Sequence, residues 1–221
     1  MSTDVIDEAL ERFAATGPEF GPGLSNHGPM AVDALVAMGR EDAVMPWAEW
    51  YARRLQDHPE ARNRIAADEW REALGDIGRA GDWDEFFRRE LRESPWHDVI
   101  ETWVARLAPG IMAGATHGII RTAHAVRSLD RGENQRRRID ELAEALAYWA
   151  ARYQELPTAG TSARNRAPIA DALRSVPLVD PSARSAGLIF DAVRAVHAEA
   201  FAPAIDYVSV DVDPGIVSLR P

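Results

Sequence analysis

Residues 116–127 read THGIIRTAHAVR, a stretch with the apolar density of a buried helix that also carries two histidines and an arginine. On a helical wheel at about 100° per residue, His117, Arg121 and His124 fall within about 60° of one another. The opposite side is apolar and consists of Ile111, Ala115, Ile119, Val126 and Leu129. This pattern predicts a central helix at about residues 109–129 that is buried on most sides, with one polar stripe facing a cavity.

Two interpretations of this stripe stay open. Buried histidine and arginine are costly unless they are paired, so each group can be a core polar residue bonded to a carboxylate or a carbonyl. The stripe can instead be a binding site, and helical geometry then limits its chemistry. His117 and His124 are separated by about 10.5 Å along the helix axis. Two nitrogens on one metal ion lie at most about 4.2 Å apart, so at most one of the two is predicted to be a direct ligand.

The rest of the chain has helical periodicity as well. Proline or N-cap residues begin most segments, glycine or proline ends them, and the longest clear helix is predicted at residues 134–156. No alternating strand pattern of convincing length occurs. We expect an all-α fold, a single multi-helix domain over residues 1–221 with about eight to ten helices around the central helix. Residues 157–166 are predicted to form a flexible connector.

Composition excludes several classes of function. The net charge of −10 argues against a nucleic-acid partner, because phosphate binding needs a basic surface. No run of about 18 uncharged apolar residues could cross a membrane, and the acidic N-terminus is unlike a signal peptide, so we expect a cytoplasmic protein. Cysteine is absent, and all 25 basic residues are arginines. Metal–sulfur sites and lysine Schiff bases are therefore excluded.

Four motifs, in order, resemble the questin oxidase-like family. They are Asn26-His27 followed by a small-residue helix that ends near Gly39, the segment GDWDEFF at 81–87, the pattern L-x-x-G-x-x-A-G-x-x-H-x-x-I-R at 107–121, and the helix ALAYWAARYQELP at 145–157. The resemblance covers about residues 5–160 well and the remainder loosely. It implies an oxidoreductase.

The resemblance also implies a cofactor and a substrate class. Characterised fungal relatives are oxygenases that open an anthraquinone ring in aromatic polyketide biosynthesis, by Baeyer–Villiger-type or ring-cleaving oxidation. Some use a histidine-rich non-heme iron site. We therefore expect iron, a small aromatic polyketide or quinone as the bound molecule, and NADPH as one candidate reductant. No flavin motif is present, since no GxGxxG follows a strand.

The family's site residues carry over onto particular histidines. His27 and His117 match metal-binding histidines of the family, and their rings are predicted to converge closely enough to share an ion or a water. His197 is the late histidine that can replace those of a C-terminal HAVT-like helix, which this sequence lacks. For catalysis, His124 is assigned a role beside the metal or the substrate, and Arg121 is expected to pair with a phenolate, a carboxylate or a dioxygen-derived anion. A carboxylated lysine proposed as a ligand within the family has no counterpart here.

Two alternatives to an enzyme stay open. The chain is expected to be a short family member, which can bind an aromatic ligand without turnover or depend on a partner that completes its site. A homodimer is predicted, because a buried central helix needs neighbours on most sides and closed two-fold dimers are the commonest way to cover an apolar surface.

Overall fold

The computed structural model describes residues 4–131, 136–155 and 187–189. Residues 1–155 form one compact unit, which is all-α as expected. Its helices are α1 (Val5–Phe13), α2 (Gly28–Ala37), α3 (Glu41–Ala52), α4 (Ala80–Glu93), α5 (Trp96–Leu107), α6 (His117–Arg131) and α7 (Arg136–Ala151). Short 3₁₀ turns cover Trp70–Ala73, Ile77–Arg79 and Ala108–Gly110. The predicted connector at 157–166 lies outside the described residues, and the single domain over the whole chain stays a prediction.

The helix at the centre of this unit is α7, and the prediction of a buried central helix at 109–129 is wrong. Between positions 141 and 151 every residue of α7 except Glu144 is buried. The segment LAEALAYWAA is rich in alanine, which lets other helices approach closely on several sides. Helices α4 and α6 make the most extensive contacts with α7, and α1 and α5 also pack against it.

The stretch 109–129 is two structures rather than one helix. Ala108–Gly110 is a 3₁₀ turn, and α6 begins only at His117. In between, Gly114, Ala115 and Thr116 have φ values of 53°, 55° and 71°. A right-handed helix cannot pass through left-handed residues, so the chain turns there.

The buried face of α6 matches the predicted one only in part. Leu129, on the side predicted to be buried, is 1% exposed, whereas Ile111 lies outside α6 and is 42% exposed. The face that packs on α7 includes Gly118 and Arg121. At Gly118 a Cβ atom would lie 2.8 Å from the Cα of Trp149, so the absence of a side chain sets the closest approach of the two helices.

Two apolar clusters fill the described unit. The larger one surrounds α7, and within it the rings of Trp83, Phe86 and Phe87 of α4 pack on one another and on Trp103 of α5. The smaller one lies among α1, α2 and α3. Only one sheet occurs in the described residues, an antiparallel pair of β1 (Glu19–Phe20) and β2 (Leu24–Ser25). Within these residues, no helix has the length and apolar character needed to span a membrane.

The contact between α6 and α7 yields a stability prediction. Gly118→Val should lower the free energy of unfolding by about 1–3 kcal/mol, because the new side chain would force the two helices apart. Ala123→Val is the matched control, since Ala123 is exposed on the same helix. It should cost less than about 1 kcal/mol, the helix propensity difference. Urea denaturation measures both, and equal losses would contradict the predicted close packing.

Candidate functional site

His27 lies at the start of α2 in a loop that is fixed by hydrogen bonds on both sides. Its backbone N–H donates to the Tyr51 hydroxyl at 2.9 Å. The neighbouring Asn26 is buried. Its amide donates to the Gly17 carbonyl at 3.0 Å, while its side-chain oxygen accepts from the N–H of Gly28 at 2.8 Å. That last bond satisfies an otherwise free donor of the first turn of α2, so the asparagine of the Asn26-His27 motif holds the loop that presents the histidine.

His117 is the first residue of α6, and the left-handed turn before it sets its ring orientation. Its Nδ1 lies 2.7 Å from the carbonyl oxygen of Gly114, the first residue of that turn. A carbonyl only accepts hydrogen bonds, so Nδ1 carries the proton of the neutral ring. The other nitrogen, Nε2, therefore presents a lone pair.

The two rings converge. The Nε2 atoms of His27 and His117 are 3.0 Å apart, with the ring planes at 84° to each other. The predicted convergence of these histidines, which are ninety positions apart in sequence, is confirmed. Two imidazole nitrogens each about 2.1 Å from one ion, at right angles, would be about 3.0 Å apart. The same distance allows one ring to donate an N–H to the other.

The pair is accessible, and its electrostatics favour a neutral His27 ring. His27 is exposed and His117 is partly buried. The pKa of His27 is lowered, first by removal of the ring from water and second by His117, while a backbone hydrogen bond at Ser25 acts in the opposite direction. Neutral imidazole is the form that binds metal ions. In the described part of the chain no third histidine or carboxylate joins this pair within ligand distance, and His197 lies outside the described residues.

Tyr148 of α7 contacts the loops of both histidines. Its hydroxyl is 2.7 Å from the Ser25 hydroxyl, two residues before His27, and donates to Glu19 at 3.1 Å. The same hydroxyl packs against Gly114, where a Cβ atom would approach it to 2.5 Å. Burial raises the pKa of Tyr148, and Glu19 raises it further, so the hydroxyl stays protonated.

Arg121 lies in the protein interior and has carboxylate partners there. It is 2% exposed, and its Nε and Nη2 each donate to one oxygen of Glu141 at 2.7 Å. Nη2 also donates to Glu144 at 3.0 Å. Burial alone would lower the pKa of Arg121, but Glu141 and Glu144 outweigh it and the pKa is raised. The guanidinium is thus neutralised within the protein, and its predicted role toward a substrate anion stays a prediction.

His124 points to a different neighbour. Its Nδ1 donates to Asp33 of α2 at 2.7 Å, and Arg127 and Arg131 pair with the same buried carboxylate. His124 and Arg121 line separate small cavities. The prediction that His117, Arg121 and His124 share one cavity is therefore wrong, because Arg121 pairs with Glu141 of α7 whereas His124 pairs with Asp33 of α2. The catalytic role of His124 stays a prediction.

A second polar cluster lies beside Arg121, and none of its residues was among the predicted site residues. His58, Asp84 and Glu144 each offer one ligand atom, and these atoms lie within 4.8 Å of one another. The hydrogen bond with Asp84 raises the pKa of His58. Burial raises the pKa of Glu144 to about 8, with Glu141 and Asp84 adding to the rise and Arg121 opposing it. One feature of the sequence could have indicated this cluster: Glu144 lies inside the otherwise apolar run LAEALAYWAA at residues 142–151.

The Asp33 cluster yields a pH-dependent prediction. Burial raises the pKa of Asp33, but hydrogen bonds from His124 and Arg127 outweigh it, and the net pKa is lowered. A carboxyl of this kind stabilises the fold when ionised, so its contribution is present above about pH 4 and is lost as the pH falls below that value. Asp33→Asn should therefore cost about 1–3 kcal/mol at pH 7.

The control for this prediction is Asp42→Asn. Asp42 pairs with Arg40 on an exposed surface, where such a pair contributes little. Urea unfolding at pH 7 and at pH 3.5 measures the difference between each variant and the unaltered protein. If Asp33→Asn lowers the free energy of unfolding by the same amount at both pH values, the charge of the carboxylate does not hold α2 to α6.

Comparison with known proteins is decisive at the level of the family. The family model described as questin oxidase-like matches residues 24–212, which include both histidine motifs and all of α2 to α7. No significant match was found among curated proteins or among solved structures. Since the family model covers most of the chain, this protein belongs to the questin oxidase-like family.

Proposed function

We propose that this protein is an oxygenase-type oxidoreductase in which His27 and His117 bind one iron ion beside a small aromatic polyketide or quinone. Family membership supports oxidoreductase chemistry. The observation that carries the proposal is the 3.0 Å separation of the two Nε2 atoms. Ring cleavage or Baeyer–Villiger-type oxidation is the proposed reaction class, NADPH the proposed reductant and the cytoplasm the proposed location.

The imidazole nitrogens of His27 and His117 fit an iron ion as two of its ligands. The lowered pKa of His27 favours its neutral ring. The Nδ1 proton of His117 is donated to the Gly114 carbonyl, which leaves the Nε2 lone pair free to bind a metal ion. Iron held by imidazoles, with open coordination positions, supplies oxygen activation. The exposed position of His27 leaves room for further ligands and for a planar substrate. His197 remains the proposed third protein ligand.

The residues around the pair have positioning roles in this proposal. Asn26 and Tyr51 hold the His27 backbone, and the left-handed turn holds the His117 ring. Arg121 holds α6 on α7 through Glu141, one turn after His117. We assign Arg121 this positioning role because its charge is already neutralised in the protein interior.

Iron binding tests the proposal. Protein purified without oxygen and reconstituted with Fe²⁺ should hold one tightly bound iron at this pair, measured by plasma mass spectrometry after desalting. His27→Ala and His117→Ala should each lower the affinity by at least about 10–100-fold. His97→Ala is the control, since His97 is exposed and stacks on Trp96. An iron content in both pair variants that equals that of the unaltered protein would contradict the proposal.

Turnover is a separate test from binding. The iron-loaded protein should consume oxygen when given a hydroxyanthraquinone with NADPH, and both pair variants should lose this activity. Binding of the anthraquinone without oxygen consumption would favour the alternative of a ligand-binding protein. Oxygen consumption that the pair variants keep would overturn the assignment of the site.

A homodimer is proposed on the exposed apolar residues beside the pair. Ile120 is 40% exposed and lies one turn after His117, and Ile111 is 42% exposed. Sedimentation equilibrium should give twice the chain mass of 24.4 kDa. Ile120→Glu should shift the equilibrium toward monomer, because a charge buried in an apolar contact is costly. A monomer in the unaltered protein would contradict the dimer without bearing on the iron pair.

A further inference from the structure

A small cavity lies between α4, α6, α7 and the loop that follows α3. Its volume is about 10 Å³, enough for one water-sized sphere. His58, Asp84, Arg121 and Glu144 are among the residues that line it. These four ionisable side chains therefore border the cavity, although its lining surface is mostly apolar.

Three of these residues offer metal-binding atoms from three separate parts of the chain. His58 comes from the loop, where its backbone N–H donates to the Ala15 carbonyl at 2.9 Å, Asp84 from α4 and Glu144 from α7. Their candidate ligand atoms all lie within 4.8 Å of one another. The Nε2 of His58 is 3.4 Å from Asp84 Oδ2. The geometry needs only a small contraction to surround one ion with ligands at about 2.0–2.2 Å.

An oxygen of Asp84 has no hydrogen-bond partner. Its side chain is 10% exposed, and Oδ1 is fully buried without a donor, whereas Oδ2 accepts from Arg88 at 2.8 Å. A buried acceptor without a partner costs about 1–3 kcal/mol. Asp84 lines the cavity, and a cation bound there by both oxygens of its carboxylate would satisfy Oδ1.

The charges around the cavity also leave an excess of carboxylate. Arg88 contacts Asp84, Asp140 and Glu144, Arg121 contacts Glu141 and Glu144, and Arg137 also contacts Asp140. Four carboxylates against three guanidinium groups give 4 − 3 = 1 uncompensated negative charge when all four are ionised. A metal cation would balance it.

We propose that His58, Asp84 and Glu144 bind one divalent transition-metal ion of the zinc or manganese class. The set of one imidazole and two carboxylates suits these ions, whereas magnesium and calcium favour oxygen ligands alone. This site shares no ligand with the His27–His117 pair and does not depend on the proposed function. The bound ion joins the loop after α3 to α4 and α7, so it stabilises the fold.

The first experiment separates the two sites. Metal-free His117→Ala protein, in which the other pair is disabled, is titrated with Zn²⁺ by calorimetry. We expect one equivalent to bind. Adding His58→Gln to this background should weaken binding at least 100-fold, whereas adding His97→Gln, at an exposed histidine, should leave it unchanged. Equal binding by these two double variants, or no zinc binding at all, would overturn the proposal.

A second readout covers the case in which a variant folds poorly. Circular dichroism of each metal-free variant reports folding, and thermal unfolding is recorded with and without Zn²⁺. Zinc should raise the melting temperature of the His117→Ala protein and not that of the His58→Gln double variant. Asp84→Asn should lose the same increase. If the Asp84→Asn variant is unfolded, the test rests on the His58→Gln double variant. A melting temperature of that variant that still rises with Zn²⁺ would contradict the site.

Discussion

The buried ion pair between Arg121 and Glu141 is the interaction on which the arrangement of the site depends. Both groups lie where α6 packs on α7, and water is excluded from the guanidinium. Removing one partner of such a pair leaves an uncompensated charge and costs about 3–5 kcal/mol. The two bonds to one carboxylate allow only one register between the helices. That register fixes the position of His117, one turn before Arg121.

Backbone strain is concentrated directly before the same histidine. Ala115 and Thr116 both adopt the left-handed conformation, which costs about 1–3 kcal/mol for a residue other than glycine. The cost is sustained because the turn directs the Gly114 carbonyl at the His117 ring and lets Gly114 pack on Tyr148. Strain of this kind is common at functional sites, and here it sets which nitrogen of the ring is available.

Sequence analysis predicted the fold class, the family and the convergence of His27 with His117, and it missed the central helix. Periodicity identified α7 as a long helix with an apolar stripe, but the alanines that let it be buried on nearly all sides carry no periodic signal of their own. The turn at 114–116 could not be predicted, because alanine and threonine rarely adopt positive φ. The cluster of His58, Asp84 and Glu144 was missed because its members meet only through packing of distant segments.

The contacts of Tyr148 have a consequence for the precision of the histidine pair. The hairpin loop before His27 and the turn before His117 both rest on this one side chain of the most deeply buried helix. A displacement of α7 moves both loops together. The distance between the two rings therefore stays the same. Separately anchored loops would add their independent fluctuations. Because both loops contact the same side chain, the distance between the two Nε2 atoms varies less than the position of either ring.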